Sequence, residues 1–250
     1  MRTGNSFVAK RIVITGAGVG IGAETARHLA PGNRLILHYN TSRNEAVELQ
    51  AELKPLCASV DIVGADLTAD NGCIHLFEQI KERFEALDVL VNNAGGMLER
   101  QSVKDLTWNH LVNTFALNVL STMRLTGLCT ELLHLGIGSC VVNVTSIAMR
   151  HGAPSATAYG ASKAAIDSFT RGAATELAPN IRVNAIAPGI IDTRFHARVT
   201  SEAKMKHFKE ATPLKRFGSP LDVARTIKFL IESDFMTGET VDCNGGLFMR

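Results

Sequence analysis

The sequence predicts an α/β fold: a single doubly wound domain whose seven-stranded parallel sheet carries helices on both faces. Three observations predict it. Short apolar runs alternate with helix-length amphipathic segments along the whole 250 residues. The runs are continuous in apolar character, as strands covered on both faces are, where half-exposed strands would alternate. The seven prolines are scattered and there is neither an internal repeat nor a linker-like tract, so nothing divides the chain. Strands joined by helices run parallel with right-handed crossovers.

The first strand is expected at residues 11–15. It leads into Thr15-Gly16-Ala17-Gly18-Val19-Gly20-Ile21-Gly22 and a helix over 23–29. Glycines there let the backbone approach a pyrophosphate, whose charge rests on the free N–H groups of the helix N-terminus. The turn is no Walker loop, because the chain contains no Gly-Lys pair. The second strand, 35–39, ends in His38-Tyr39-Asn40-Thr41-Ser42-Arg43, with no Asp or Glu before Glu45. A carboxylate at this place would bind a ribose 2′-hydroxyl and repel a 2′-phosphate. Its absence, with Asn40, Thr41 and Ser42 as hydrogen-bond donors and Arg43 as a positive charge, favours NADP(H) and leaves NAD(H) as the alternative. Arg43 is also readable as a solvated loop residue.

A helix over 45–53 follows, with Ala46, Leu49 and Leu53 on one face, and then a strand at 60–64. The helix over 73–84 places Leu76, Phe77, Ile80 and Phe84 together. Further strands are expected at 88–92, 140–145, 181–187 and 240–243. Ser219-Pro220-Leu221-Asp222 opens another helix with an N-cap, a proline in the first turn and an acid three residues on.

Within the segment of helical periodicity that runs to Leu177, Tyr159 and Lys163 are four apart and share a face. Tyrosine, with a reference pKa of about 10, is a poor proton shuttle at neutral pH, and a neighbouring ammonium favours its phenolate. Alone, such a pair is common by chance. Ser146 just beyond the strand at 140–145, and Asn92-Asn93-Ala94-Gly95 ending the strand at 88–92, lie at the C-terminal edge of the sheet where open α/β folds bind ligands.

Taken together these residues resemble the short-chain dehydrogenase/reductase family, in its compact single-domain branch that includes 3-oxoacyl-ACP-reductase-like members. The resemblance covers residues 10–246 and its motifs fall in the family's order. Gly16, Gly18, Gly20, Ile21 and Gly22 match its cofactor turn, Asp66 with Leu67 its adenine side, and Asn93, Ala94 and Gly95 its fourth-strand motif. Asn118, Ser146, Tyr159 and Lys163 match its catalytic four. Pro188, Gly189, Ile191 and Thr193 match the stretch that meets the nicotinamide carboxamide. The resemblance implies a Rossmann domain spanning residues 1–250, with 190–217 as a substrate lid, and hydride transfer between NADP(H) and a carbonyl. In that mechanism Tyr159 is the acid and base, Ser146 holds the substrate oxygen, Lys163 binds the nicotinamide ribose and Asn118 holds a relay water. Substrate contacts fall to Ser146, Ala148 and Tyr159, and the C-terminal tail implies a homotetramer.

Composition narrows the partners. Lys plus Arg total 26 against 24 acids, too balanced for a dedicated nucleic-acid binder. No apolar run approaches the ~20 residues that span a bilayer, and no secretion-signal core precedes the first strand. Five cysteines without a C-x-x-C pair read as reduced thiols in a cytoplasmic protein, and no tight histidine pair suggests a metal. Arg194, His196, Arg198, Lys204, Lys206, His207, Lys209, Lys215 and Arg216 crowd the lid. They read either as attraction for an anionic substrate or as a solvated helix face with Met205 and Phe208 turned inward. Basic residues expected for carrier-protein docking are missing from 132–136 and 173–176. The expected substrate is therefore a small ketone or secondary alcohol, over a pocket lined by Gly96, Met97, Ala148, Met149 and His151. A 3-oxoacyl thioester reductase and a non-catalytic dinucleotide-binding sensor are the alternatives.

Overall fold

The computed structural model describes residues 9–193 and 201–249. Its strands are β1 (Arg11–Ile14), β2 (Arg34–Tyr39), β3 (Ser59–Gly64), β4 (Val89–Asn92), β5 (Ser139–Val144), β6 (Ile181–Pro188) and β7 (Thr240–Cys243). All neighbours pair in parallel, in the order β3-β2-β1-β4-β5-β6-β7. Each expected strand appears, its ends shifted by a residue or so.

Alternate residues of each strand serve opposite layers, which is why the runs are continuously apolar. Ile12, Ile14, Leu35, Leu37, Val89 and Val142 face one layer, against α1 (Gly20–Leu29), α2 (Arg43–Leu53) and the last helix, Pro220–Glu232. Val13, Ile36, Leu90, Val141 and Val183 face the other, against α3 (Asp70–Arg83) and two later helices, Ser121–His134 and Thr157–Leu177. Leu76, Ile80 and Phe84 lie in that second core as their spacing predicts, with Phe77 packed at its margin.

Between β4 and β5 the chain forms α4 (Trp108–Phe115), a π-helical turn (Ala116–Leu120) and α5 (Ser121–His134). Thr107 caps α4, its side chain accepting from the His110 N–H. After β5 come α6 (Ala148–His151) and α7 (Thr157–Leu177), and after β6 come α8 (Glu202–Ala211) and α9 (Pro220–Glu232). The capping box of α9 is complete: Ser219 accepts from the Asp222 N–H, and the Asp222 carboxylate accepts from the Ser219 N–H. Among the described residues no helix is long and apolar enough to cross a membrane.

The opposite, N-terminal edge of the sheet is fastened by one buried carboxylate. Asp88 accepts from the Arg11 backbone N–H at 2.8 Å, from Arg11 Nε and Nη2 at 3.0 and 2.9 Å, and from the Ile137 N–H at 2.7 Å. Burial pushes this carboxyl pKa up, but the hydrogen bonds from Arg11 and Ile137 outweigh it and hold the group below the usual range. The clasp joins the starts of β1 and β4 to the approach of β5. Asp88→Ala leaves the half-buried Arg11 guanidinium and two backbone donors without their acceptor. It is expected to cost ~3–5 kcal/mol in urea denaturation, and a loss below 1 kcal/mol would show that the clasp is dispensable.

Candidate active site

The crevice opens at the C-terminal ends of β1 and β4, where strand order reverses: from β1 the chain winds out through β2 and β3, then returns to β4 on the other side. Two side chains seal the parting strands. Thr15 Oγ1 accepts from the N–H groups of Asn93 and Ala94, both at 2.9 Å. Asn93 Nδ2 donates to the carbonyls of Thr15 and Gly16 at 2.9 and 3.0 Å. This staple sets the path of the glycine turn. Gly16 has φ +62, and a β-carbon on Gly22 would stand 2.3 Å from the Gly16 carbonyl oxygen and 2.6 Å from Asn93 Nδ2. The start of α1 can therefore lie against the strand edge only with no side chain at Gly22.

The residues of this turn fit a dinucleotide. The N–H groups of Gly18, Val19, Gly20 and Ile21 meet no protein acceptor among the described residues, and they stand at the N-terminus of α1, where an anion is favoured. A β-carbon on Gly18 would come 2.2 Å from Ser42 Oγ, so the turn touches the loop between β2 and α2. Asn40 and Thr41 are exposed there, and Arg43 opens α2 exposed. Where the adenine is expected, Asp66 Oδ1 accepts from Thr68 N and Oγ1 at 3.0 and 2.8 Å, which holds its carboxyl below the usual range, and Leu67 is buried.

Sequence reasoning passed over His38, whose ring joins these two regions. Its Nδ1 accepts from the Gly16 N–H at 3.1 Å and its Nε2 lies 3.0 Å from the Ala65 carbonyl oxygen, next to Asp66. The two partners select the neutral tautomer with the proton on Nε2. Burial pushes the His38 pKa down, against the pull of the Ala65 carbonyl and Asp66. A histidine inside an otherwise apolar strand was the available signal.

The four candidate catalytic residues converge beyond β4 and β5. Ser146 follows β5, accepts from the Ala148 N–H at 3.1 Å and is hydrogen-bonded to the Tyr159 phenol. Lys163, one turn after Tyr159 on α7, is buried and donates to the Val144 carbonyl at 2.9 Å. Its other ammonium protons find no acceptor among the described residues, and the hydroxyls of a ribose fit that donor set. Asn118 sits in the π-helical turn, a distortion frequent at functional sites. Its amide exchanges hydrogen bonds with both backbone groups of Gly96, at 2.8 and 2.9 Å, and donates to the Thr114 carbonyl at 3.0 Å. A β-carbon on Gly95 would stand 2.8 Å from Asn118 Oδ1 and 3.0 Å from Lys163 Nζ. Glycine is thus required where the chain leaving β4 runs over the candidate catalytic side chains.

One expectation is corrected. The spacing predicts that Lys163 lowers the Tyr159 pKa, yet in the cleft as it stands burial pushes the phenol up and only the Ser146 hydrogen bond opposes it. The reason is geometric: the ammonium is turned to Val144, 5.9 Å from the tyrosine ring centre. Burial also pulls the Lys163 pKa down to about 8.

The stretch after β6 closes the crevice. The Pro188 carbonyl accepts from the Ile147 N–H, Gly189 donates to the Cys243 carbonyl, and Ile191 is buried and bridged to Gly218. The Thr193 methyl would lie 3.5 Å from a β-carbon on Gly20, which brings this stretch over the glycine turn. Beside Ser146 and Tyr159 lies a small buried apolar cluster of Ala148, Ala153 and Ala156, with Met97 and the Tyr159 side chain packed against it. Of the residues expected to line a pocket, Met97 and Ala148 belong to this cluster, whereas Met149 is half-buried and outside it. His151 is exposed, its Nδ1 accepting from the Ala153 N–H. Ala153 and Ala156 carry no signal in the sequence. Arg194, His196 and Arg198 of the expected lid lie outside the described residues. In α8, Met205 and Phe208 are half-buried among exposed neighbours.

Residues 16–248 match the model of a family described as enoyl-(acyl carrier protein) reductase. The chain is 36% identical over 248 residues to a 7alpha-hydroxysteroid dehydrogenase of Bacteroides fragilis, covering 97% of this chain and 96% of that relative. Among solved structures it resembles a short-chain dehydrogenase from Burkholderia cenocepacia J2315 in complex with NADP, with a TM-score of 0.89, 29% identity and coverage of 97% and 99% of the two chains. It also resembles an NADH-dependent reductase, A1-R′, responsible for alginate metabolism, with a TM-score of 0.89, 29% identity and coverage of 98% and 99%.

Two pH-linked outcomes follow from the buried bases His38 and Lys163. Because the His38 pKa is lowered by folding, the unfolded chain binds the extra proton, so its contribution is complete above about pH 6.5 and is lost as pH falls below that. Urea midpoints of the wild type are expected to drop more steeply between pH 7.5 and 5.5 than those of His38→Gln, by up to about 1 kcal/mol per pH unit; equal slopes would remove His38 from the titration. For Lys163 the lowered pKa means that its buried charge costs stability below about pH 8, a cost relieved as pH rises. Lys163→Met should then be more stable than the wild type at pH 7 by roughly 1–2 kcal/mol, with the difference shrinking by pH 10; a less stable variant at pH 7 would contradict this.

Proposed function

The chain belongs to the short-chain dehydrogenase/reductase family and is an NAD(P)-dependent oxidoreductase, and on that premise we propose that it transfers a hydride between NADP(H) and a small ketone or secondary alcohol, with Tyr159 as the general acid and base. The observation that carries the reading is the hydrogen-bonded pair Ser146–Tyr159, facing an apolar floor, beside a buried ammonium with donors to spare. The bound cofactor supplies or accepts the hydride.

The chain's own residues do the rest. Ser146 and Tyr159 hold the carbonyl oxygen between their hydroxyls, so negative charge that develops there is met by donors already in position. The Tyr159 phenol, kept protonated by burial, gives its proton to that oxygen in reduction and takes one in oxidation. Lys163 orients the nicotinamide ribose with its open donors, and its charge stabilises the transient phenolate. Asn118 positions the ensemble, because its amide locks Gly96 while Gly95 presses on both Asn118 and Lys163. It is also the residue placed to hold a relay water.

NADP(H) is favoured over NAD(H) because the exposed Asn40, Thr41 and Arg43 border the turn without an acid among them. The same reading takes residues 1–250 as one domain with 190–217 as a lid. It is extended to a homotetramer by the exposed Trp108, Val112 and Leu120 on α4 and the π-helical turn, with Phe229 and Phe235 elsewhere. Five free cysteines suit a reducing cytoplasm. A 3-oxoacyl thioester is a second reading, favoured by the description of the matching family model. It is weakened where a carrier protein would dock, since residues 132–137 present exposed Leu135 and Ile137 in place of cations.

Tyr159→Phe is expected to lower the rate of NADPH oxidation with a panel of ketones by ~10²–10⁴-fold, and activity that survives the change would eliminate the proton-shuttle role. In fluorescence titrations NADPH should bind more tightly than NADH, and Arg43→Ala should erase about tenfold of that advantage. Tighter binding of NADH would refute the cofactor assignment.

A further inference from the structure

Two consecutive donors of the glycine turn end on one residue. The Ala17 N–H donates to the His38 backbone carbonyl at 2.8 Å, and the Gly16 N–H donates to Nδ1 of its ring at 3.1 Å. The other ring nitrogen, Nε2, lies 3.0 Å from the Ala65 carbonyl oxygen and donates to it in the tautomer that Gly16 selects. Because β2 lies between β1 and β3, the imidazole spans the gap between the loops that leave its two neighbours. Only 2% of the residue is exposed. Water therefore has little access to replace either bond, and losing one leaves a buried backbone group without its partner.

A dinucleotide must touch both of these loops at once. The first sets the direction of the N–H groups from Gly18 to Ile21 at the start of α1, and the second carries Asp66, where the adenine is expected. Asn93 fixes the Gly16 carbonyl from the β4 side, and the His38 ring fixes the Gly16 N–H from the β2 side. The join works in one protonation state. Neutral imidazole offers an acceptor at Nδ1 and a donor at Nε2, whereas a second proton turns Nδ1 into a donor that faces the Gly16 N–H. Two donors cannot share that contact, so the charged ring gives up the turn. One charged group acts on the ring from the loop after β3: the Asp66 carboxylate, which favours the proton while burial disfavours it. The turn after β1 brings Thr15, Gly16 and Ala17, none of which titrates. On the layer that His38 shares with Ile36, α3 brings the Cys73 thiol, kept protonated by burial, and Asp70, which pairs with Arg124 of α5.

We propose that His38 is a positioning residue for the dinucleotide: its neutral ring holds the glycine turn and the Ala65–Asp66 loop at the spacing the cofactor spans, and a proton on Nδ1 releases the turn and weakens cofactor binding. The inference rests on the dinucleotide reading of the turn and adds an acid-sensitive control to it. Binding draws on the neutral form, so each cofactor bound expels the proton from any His38 that carries one. The apparent dissociation constant is the intrinsic one divided by the neutral fraction. Affinity therefore falls as pH drops below the His38 pKa, which burial places under the ordinary histidine value. A cation acting on the pyrophosphate only through its field would do the opposite, so the direction of the effect discriminates.

The test measures NADP⁺ binding to the full chain by calorimetry between pH 7.5 and 5.5, with circular dichroism confirming the fold at each pH. His38→Asn keeps an acceptor where Nδ1 stood and has no charge to gain, so it should bind within about threefold of the wild type at pH 7.5. His38→Leu removes the acceptor and should bind at least about tenfold more weakly. Toward pH 5.5 the wild-type dissociation constant should rise at least about threefold more than that of His38→Asn. The 2′-phosphate, which titrates near about pH 6, weighs equally on both proteins. In this acidic range the wild type should also release part of a proton per NADP⁺ bound, read from heats in two buffers of different ionisation enthalpy, and His38→Asn should not. Parallel pH dependences in the two proteins, or wild-type binding that strengthens in acid relative to His38→Asn, would overturn the proposal, as would equal affinity of folded Asn and Leu variants. If His38→Leu does not fold, the comparison with His38→Asn decides alone. Absence of NADP⁺ binding to the wild type at pH 7.5 removes the dinucleotide reading of the turn and the role of His38 with it. Binding with equal pH slopes removes the role of His38 and leaves the turn.

Discussion

Thr15 and Asn93 hold two parallel strands together at the place where the winding of the sheet makes them part, and the cleft depends on that closure. A crevice between diverging strands exposes backbone groups, and here one hydroxyl and one carboxamide satisfy four of them. The bonds bring the Gly16 carbonyl toward Asn93, which decides where α1 begins and where its free N–H groups aim. His38 adds a second tie from the flank, gripping the Gly16 N–H while it reaches toward the adenine side. The next residues, Ala94 and Gly95, leave this staple, and Gly95 passes directly over the side chains of Asn118 and Lys163.

A second polar chain sets the register of the tyrosine helix against the sheet. Asn92 Nδ2 donates to Asn143 Oδ1 and to Thr126 Oγ1, and Asn143 Nδ2 donates to Thr170 Oγ1 on α7. Buried hydrogen bonds of this kind accept few alternative alignments, because a shift leaves donors stranded in a low-dielectric interior. Apolar packing alone would tolerate a slide of α7 along β5; these amides do not. Tyr159 inherits its position from contacts made up to three helical turns away, and Ser146 inherits its own from the end of the same strand.

What was legible in the chain had a periodicity or a local geometry behind it. Strand residues such as Ile12 to Ile14 announce themselves because both layers need apolar partners, and Tyr159 with Lys163 because helical spacing puts four-apart residues together. The π-helical turn left no trace, since Ala116–Leu120 has the composition of an ordinary helix and one extra residue per turn is set by packing. The apolar cluster beside Tyr159 was only partly foreseen: Ala153 and Ala156 lie in irregular backbone where no period applies. His151 shows the reverse failure, for adjacency to Ala148 said nothing of which way the short α6 would turn it. The direction of the Tyr159 shift was misjudged because spacing reports proximity, whereas electrostatics depends on where the ammonium points.

Among the described residues the buried Lys163 ammonium makes one hydrogen bond, to the Val144 carbonyl. A ligand that supplies hydroxyl oxygens at that point adds acceptors for its remaining protons. Stabilisation by such a ligand grows with the logarithm of its free concentration. Whatever raises the supply of pyridine nucleotide therefore also raises the stability of the fold that binds it.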